Sequence, residues 1–95
     1  MTRPARISEF YDAEVCLSGD HGDLDITARF TIEGEYHGGR DKCVAIDTEW
    51  LSAQWGGLII TRDMAEQVCG KDYLARIEES VGAQYVAEFH PECAA

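Results

Sequence analysis

Carboxylates are the side chains whose number and spacing could do chemistry in this chain. Between Ile7 and Ala28 stand Glu9, Asp12, Glu14, Asp20, Asp23 and Asp25, with no Lys or Arg among them. Such a run can hold a hard cation, supply a general acid or base, or present a negative surface to a cationic molecule. Asp20, Asp23 and Asp25 fall within six residues, which invites a calcium loop. Their spacing departs from the D-x-D-x-D-G pattern, however, and no Glu follows where the coordination shell would have to close. A solvated acidic turn is the simpler reading. Acid–base catalysis needs carboxylates set apart by their surroundings, and an acid-rich sequence singles none out.

Sulfur and imidazole offer a second chemistry. His90 and Cys93 have H-x-x-C spacing, and His37 and Cys43 flank a glycine-rich segment. Structural zinc usually draws its ligands in pairs from short knuckles such as C-x-x-C, and Cys16, Cys43, Cys69 and Cys93 form none. No metal or cofactor is expected, and the thiols are expected to be reduced. A cysteine nucleophile would need one particular histidine beside it. No local signature selects a pair from the four cysteines and three histidines, so the chain is not expected to be an enzyme.

The elements that must position these groups are legible from periodicity. Tyr11, Ala13, Val15 and Leu17 alternate with polar neighbours, which predicts a strand over 10–17. Leu24, Ile26, Ala28, Phe30 and Ile32 do the same and predict a second strand over 24–33. The intervening Ser18-Gly19-Asp20-His21-Gly22-Asp23 has turn composition, so the two strands form an antiparallel hairpin. Gly34 and the cluster His37 to Asp41 break the pattern, and Val44, Ile46, Thr48 and Trp50 define a third strand over 43–50.

Trp55-Gly56-Gly57 reads as a turn, and Leu58-Ile59-Ile60 as a short fourth strand. Thr61 or Asp63 can cap a helix over 62–69, with Asp63 and Glu66 in capping-box spacing. Gly70 stops it. Asp72 opens a second helix over 72–81, where Leu74, Ile77 and Val81 share a face and Gly82 ends the pattern. Gln84 to His90 fits either a further helical turn or, with Tyr85, Ala87 and Phe89 alternating, a last strand, and is assigned as the strand; Pro91 ends regular structure. The ending Glu92-Cys93-Ala94-Ala95 is expected to be mobile. The fold class is thus α+β: an antiparallel sheet of three or four strands that starts with a hairpin, packed with one or two C-terminal helices. Ninety-five residues, 45% of them apolar, suit one such domain spanning 1–95.

Eighteen acids against eight bases give a net charge of −10. That charge repels phosphates, so direct binding to nucleic acid or to an anionic membrane is disfavoured. The chain has no apolar run near the ~20 residues that span a bilayer, and Met1 to Ser8 lacks the apolar core of a secretory signal. A cytoplasmic protein is expected.

A hairpin places the apolar residues of both strands on one face and Asp12, Glu14, Asp25 and Glu33 on the other, interrupted only by Arg29. Asp20 and Asp23 lie at its tip and Glu35 just beyond. Tyr36, Trp50 and Trp55 are candidate apolar anchors, since aromatic residues concentrate at the energetic centres of interfaces; core filling is the competing role for the tryptophans. A hairpin of acidic strands followed by one or two helices, on a chain of this size and charge, resembles the small accessory proteins of phages and mobile elements, among them the anti-CRISPR proteins. The resemblance lies in general build and charge over the whole chain. It implies a non-enzymatic inhibitor that occupies the DNA- or RNA-binding groove of a CRISPR effector in the host cytoplasm, with a basic protein complex as partner. The alternative is a structural or assembly module acting as a homodimer, its acidity serving solubility.

Overall fold

The alternating segments form a hairpin longer than periodicity marked out. The structure, a computed structural model, describes residues 5–20, 22–38 and 43–93. Strand β1 (Ala5–Gly19) pairs antiparallel with β2 (Gly22–His37) in unbroken register from Ala5↔Tyr36 to Gly19↔Gly22. Strands of this length, at about 3.3 Å per residue, account for the long dimension of 52 Å. The radius of gyration is 15.0 Å, against about 12 Å for a compact chain of this size.

β3 (Cys43–Trp55) continues the meander and outruns its expected end at Trp50 by crossing a bulge opposite Arg29 and Phe30. Gly56 and Gly57, both at positive φ (56° and 82°), then turn the chain into β4 (Leu58–Ile60). The result is a four-stranded antiparallel sheet in the order β1-β2-β3-β4, with two C-terminal helices on one face: the expected α+β fold.

Gly34 does not break the second strand. It sits inside β2 opposite Ile46, where an added Cβ would collide with the Ala45 carbonyl oxygen. The absence of a side chain lets β2 and β3 come together. Gly34→Ala is expected to lose about 3 kcal/mol by forcing the strands apart, read as a fall in melting temperature of roughly 15 °C. Of the predicted break from His37 to Asp41, the part over 39–41 lies outside the described residues.

Helix α1 (Arg62–Cys69) is capped by Thr61, whose Oγ1 accepts the Met64 N–H at 3.3 Å, rather than by an Asp63–Glu66 box. Gly70, at φ 88°, separates it from α2 (Lys71–Phe89). Two corrections follow. α2 does not end at 81, and 84–90 is not a strand. Leu74, Glu78, Val81, Gly82 and Tyr85 form one buried face at helical spacing, and that period prevails over the alternation of Tyr85, Ala87 and Phe89. Gly82 costs about 1 kcal/mol inside a helix, while burying Tyr85 contributes about 2 kcal/mol or more. Gly82 also permits close packing, since a Cβ there would lie 2.6 Å from Thr48 Oγ1. His90 caps α2, and Pro91–Cys93 form a single 3-10 turn rather than a loose end; Ala94 and Ala95 lie outside the described residues.

The core lies between sheet and helices. Its main cluster centres on Leu17, Phe30, Trp50 and Leu74, with Phe30 and Trp50 edge to face at 5.5 Å. A second cluster joins Ile7, Ile32 and Tyr85 at the other end. Among the described residues, no helix is long and apolar enough to cross a membrane.

Candidate functional site

Because both helices pack on one side, the other side of the sheet is bare. The register decides what it carries. Arg6↔Glu35, Ser8↔Glu33, Phe10↔Thr31, Asp12↔Arg29, Glu14↔Thr27, Cys16↔Asp25 and Ser18↔Asp23 face outward across β1 and β2. β3 adds Thr31↔Glu49, Glu33↔Asp47 and Glu35↔Ala45. Asp12, Glu14, Asp25, Glu33 and Glu35, all exposed, therefore share one surface, and Asp23 extends it toward the hairpin tip, where Asp20 is also exposed.

The charge is not uniform. Arg29 binds Asp12 through two contacts, Nε–Oδ1 at 2.9 Å and Nη2–Oδ2 at 3.3 Å. That bond holds the Asp12 carboxyl below its usual range and largely neutralises it as a contact for a partner. Asp23 accepts the Ser18 hydroxyl at 2.8 Å, and Glu35 lies 3.5 Å from His37 Nε2. Among the described residues, no Lys or Arg is paired with Glu14, Asp25, Glu33, Asp47 or Glu49. Glu33 directly opposes Asp47, an arrangement that costs a few tenths of a kcal/mol and that an incoming cation would relieve.

The aromatic anchors divide. Trp50 is core, 2% exposed, with its indole N–H donated to the Ile60 carbonyl at 3.1 Å; it cannot meet a partner. Tyr36 lies on the helical side, stacked on His90 at 4.8 Å, and its hydroxyl donates to Glu92. Trp55 is exposed, and it borders a cleft of about 590 Å³ with Leu17, Leu24, Met64 and Val68 at the hairpin tip, where Asp20 and Asp23 also line it. The apolar group that stands among the carboxylates is Phe10, 65% exposed, with the Arg29 guanidinium 5.9 Å from its ring centre. Sequence reasoning missed Phe10, Asp47 and Glu49 as surface partners, although continued alternation in the first and third strands would have placed all three outward.

No family model, curated protein or solved structure matches the chain.

The register pairs His37 with Cys43, whereas His90 sits on the helical side against Tyr36. Among the described residues, no group of three or more His, Cys, Asp or Glu side chains is arranged to hold a metal ion. The Cys69 thiol donates to the Ala65 carbonyl at 3.1 Å, and burial raises its pKa, which favours the protonated form.

All four tyrosines tie α2 or the turn after it to the hairpin, Tyr73 by donating to the Cys16 carbonyl at 3.1 Å. Tyr11 donates to Glu88 at 2.6 Å, Tyr36 to Glu92 at 3.0 Å, and Tyr85 to Glu9. Burial, reinforced by Glu9, pushes Tyr85 up to about 12 from an ordinary 10.0. A folded-state pKa above the unfolded one stabilises fully below the unfolded value and is lost as pH rises through the folded value. Stability should therefore fall between pH 10 and about 12. Denaturant melts across that window should show it, and Tyr85→Phe should flatten the dependence.

Proposed function

We propose that this protein binds a basic groove on another protein and occupies it in place of a nucleic acid, as an inhibitor of the anti-CRISPR kind. The carrying observation is the bare sheet face, on which Glu14, Asp25, Glu33, Glu35, Asp47 and Glu49 lie in register across three strands. Carboxylates two positions apart on a strand repeat about every 7 Å, and those on adjacent strands lie about 5 Å apart. That is the scale of neighbouring phosphates on a nucleic acid strand. The face is built on strands and not on loops, so the backbone positions that carry the carboxylates are set before binding and no loop has to be ordered. Phe10 supplies one apolar contact within the field.

The test is competition. Labelled duplex DNA bound to RNA-guided effectors from a panel of CRISPR systems should be displaced by this protein. Raising salt from about 50 to about 200 mM should weaken this protein's own binding to the effector, less steeply than it weakens DNA binding, since separate carboxylates do not condense counterions as a duplex does. Failure to displace DNA from any effector, at low salt as well as high, counts against the reading.

A second reading has its own observation. Trp55, Leu58 and Val68 are each about half exposed at the β3–β4 end, with Trp55 paired to Leu58 and sharing a cleft with Val68, and such an apolar patch beside a short edge strand suits a homodimer contact. Light scattering separates the two readings, because only the second requires a dimer that Trp55→Lys dissolves.

A further inference from the structure

We infer that the uncovered edge of β3, with the groove between it and α2, is a docking site for an extended basic segment of another protein, which would add to the sheet as a further strand. This edge borders the bare face and shares Asp47 and Glu49 with it, but backbone geometry carries the inference.

β4 pairs only with Ala53–Trp55. Among the described residues, no strand therefore covers the outer edge of β3 from Cys43 to Ser52. The direction of its backbone groups is set by one bond: the Trp50 N–H, pointing away from β2, donates to Glu78 Oε2 at 2.8 Å. In an antiparallel ladder such groups alternate residue by residue, and the register from Phe30↔Trp50 to His37↔Cys43 is unbroken. The N–H and C=O groups of Thr48, Ile46 and Val44 consequently face outward too. Glu78 closes the edge at Trp50; the positions before it lie open.

Beside this edge α2 leaves a groove of about 550 Å³, floored by Val44, Ile46, Gly82, Ala83 and Val86. Natural sheets blunt such edges with Lys, Pro or bulges. Residues Cys43 to Glu49 contain no Lys and no Pro, and the bulge comes only after Trp50. A strand of about five residues would fit, its backbone bonded to Val44, Ile46 and Thr48 and its inward side chains small enough for the groove.

Charge selects the occupant. A second copy pairing antiparallel about Thr48 would set each Asp47 against the Glu49 of the other copy, beside Glu33 of β2 and with Glu79 lining the groove. Like charges opposite one another disfavour that pairing. A segment alternating Lys or Arg with a small apolar residue turns its cations toward Asp47 and Glu49 and its apolar side chains into the groove.

The probe is a fluorescent peptide of alternating Lys and Val, compared by anisotropy with an alternating Glu-Val peptide and with a Lys-Val peptide interrupted by Pro. The Lys-Val peptide should bind at least tenfold more tightly than either, and should slow amide exchange at Val44, Ile46 and Thr48. Ile46→Pro removes an outward N–H that β2 does not use, and should reduce binding at least tenfold. Ala83→Trp, which fills the groove from the helix and leaves the edge intact, should do the same. Neutralising Glu14 and Asp25, which lie on β1 and β2 and face no residue of β3, should leave peptide binding at physiological salt within about twofold, so that failure of the face and failure of the edge are told apart. Equal binding of the Pro-interrupted peptide, undiminished binding by both Ile46→Pro and Ala83→Trp, or a dimer joined through β3 would overturn the inference.

Discussion

A variant carrying Asp12→Asn, Glu14→Gln, Asp25→Asn and Glu33→Gln should fold normally and lose about a hundredfold in affinity for its basic partner. The estimate takes four contacts at about 0.7 kcal/mol each, near the upper range of exposed ion pairs and below that of well-desolvated interface pairs. The contributions are unequal. Glu14, Asp25 and Glu33 should carry most of the loss, because Asp12 is already matched by Arg29. Substituting Asp12 alone frees the Arg29 guanidinium and places an unmatched cation in the middle of the face. That single change should therefore weaken binding through repulsion as well as through the lost carboxylate. Stability should not fall, since these side chains are exposed and the substitutions remove four negative charges from a chain of net −10. Calorimetric titration at low salt, with melting curves on both proteins, measures both halves. Unchanged affinity in the fourfold variant would remove the electrostatic basis of the proposed function.

Glu78→Ala should cost about 3 kcal/mol of stability, a large part of the 5–15 kcal/mol typical of a small domain. Glu78 is 8% exposed and its carboxylate serves three elements. It accepts the Trp50 N–H at 2.8 Å and both Arg62 Nε and Nη2 at 3.0 Å, joining α2 to β3 and to the start of α1. Its removal leaves a buried backbone N–H without an acceptor, at about 1–3 kcal/mol. It also leaves Arg62 without its main partner. Arg62 remains partly exposed and recovers some hydration, which keeps the loss at the lower end of that for a broken buried pair. Glu78→Gln keeps an acceptor for Trp50 and should recover about half. Replacing both Arg62 and Glu78 with Leu tests the backbone bond separately, because it removes the stranded charge but not the stranded N–H. Urea melts on the three variants should rank Glu78→Ala as the least stable. A loss in Glu78→Ala below about 1 kcal/mol would show that water replaces the carboxylate at the β3 edge.

The sheet was legible because a strand with one buried face repeats every two residues, and the alternation from Leu24 to Ile32 admits no other element. The glycine pair at 56 and 57 and the stop at Gly70 were legible for an equally local reason: both are positive-φ positions, which glycine occupies at little cost. Once a short turn joined the first two strands, pairing and parity placed Asp12, Glu14, Asp25 and Glu33 on one face.

What local pattern left undecided depended on contacts between residues far apart in the chain. Gly82 read as the end of the helix, and propensity did not separate strand from helix over Gln84 to His90. α2 continues because Tyr85 reaches Ile7 and Ile32 and donates to Glu9, 76 positions earlier. Trp50 became core, and not an anchor, because its side of β3 is the one the helices cover. Arg29 neutralises Asp12 because the register sets them opposite each other. Glu78 is buried with charge because a backbone N–H and a guanidinium converge on it from two other elements. Periodicity specifies which face of a segment is apolar, since that depends on the residues within it; which distant side chain meets that face is a property of packing, and here packing divides the acids into those that hold the fold together and those left exposed on the bare sheet face.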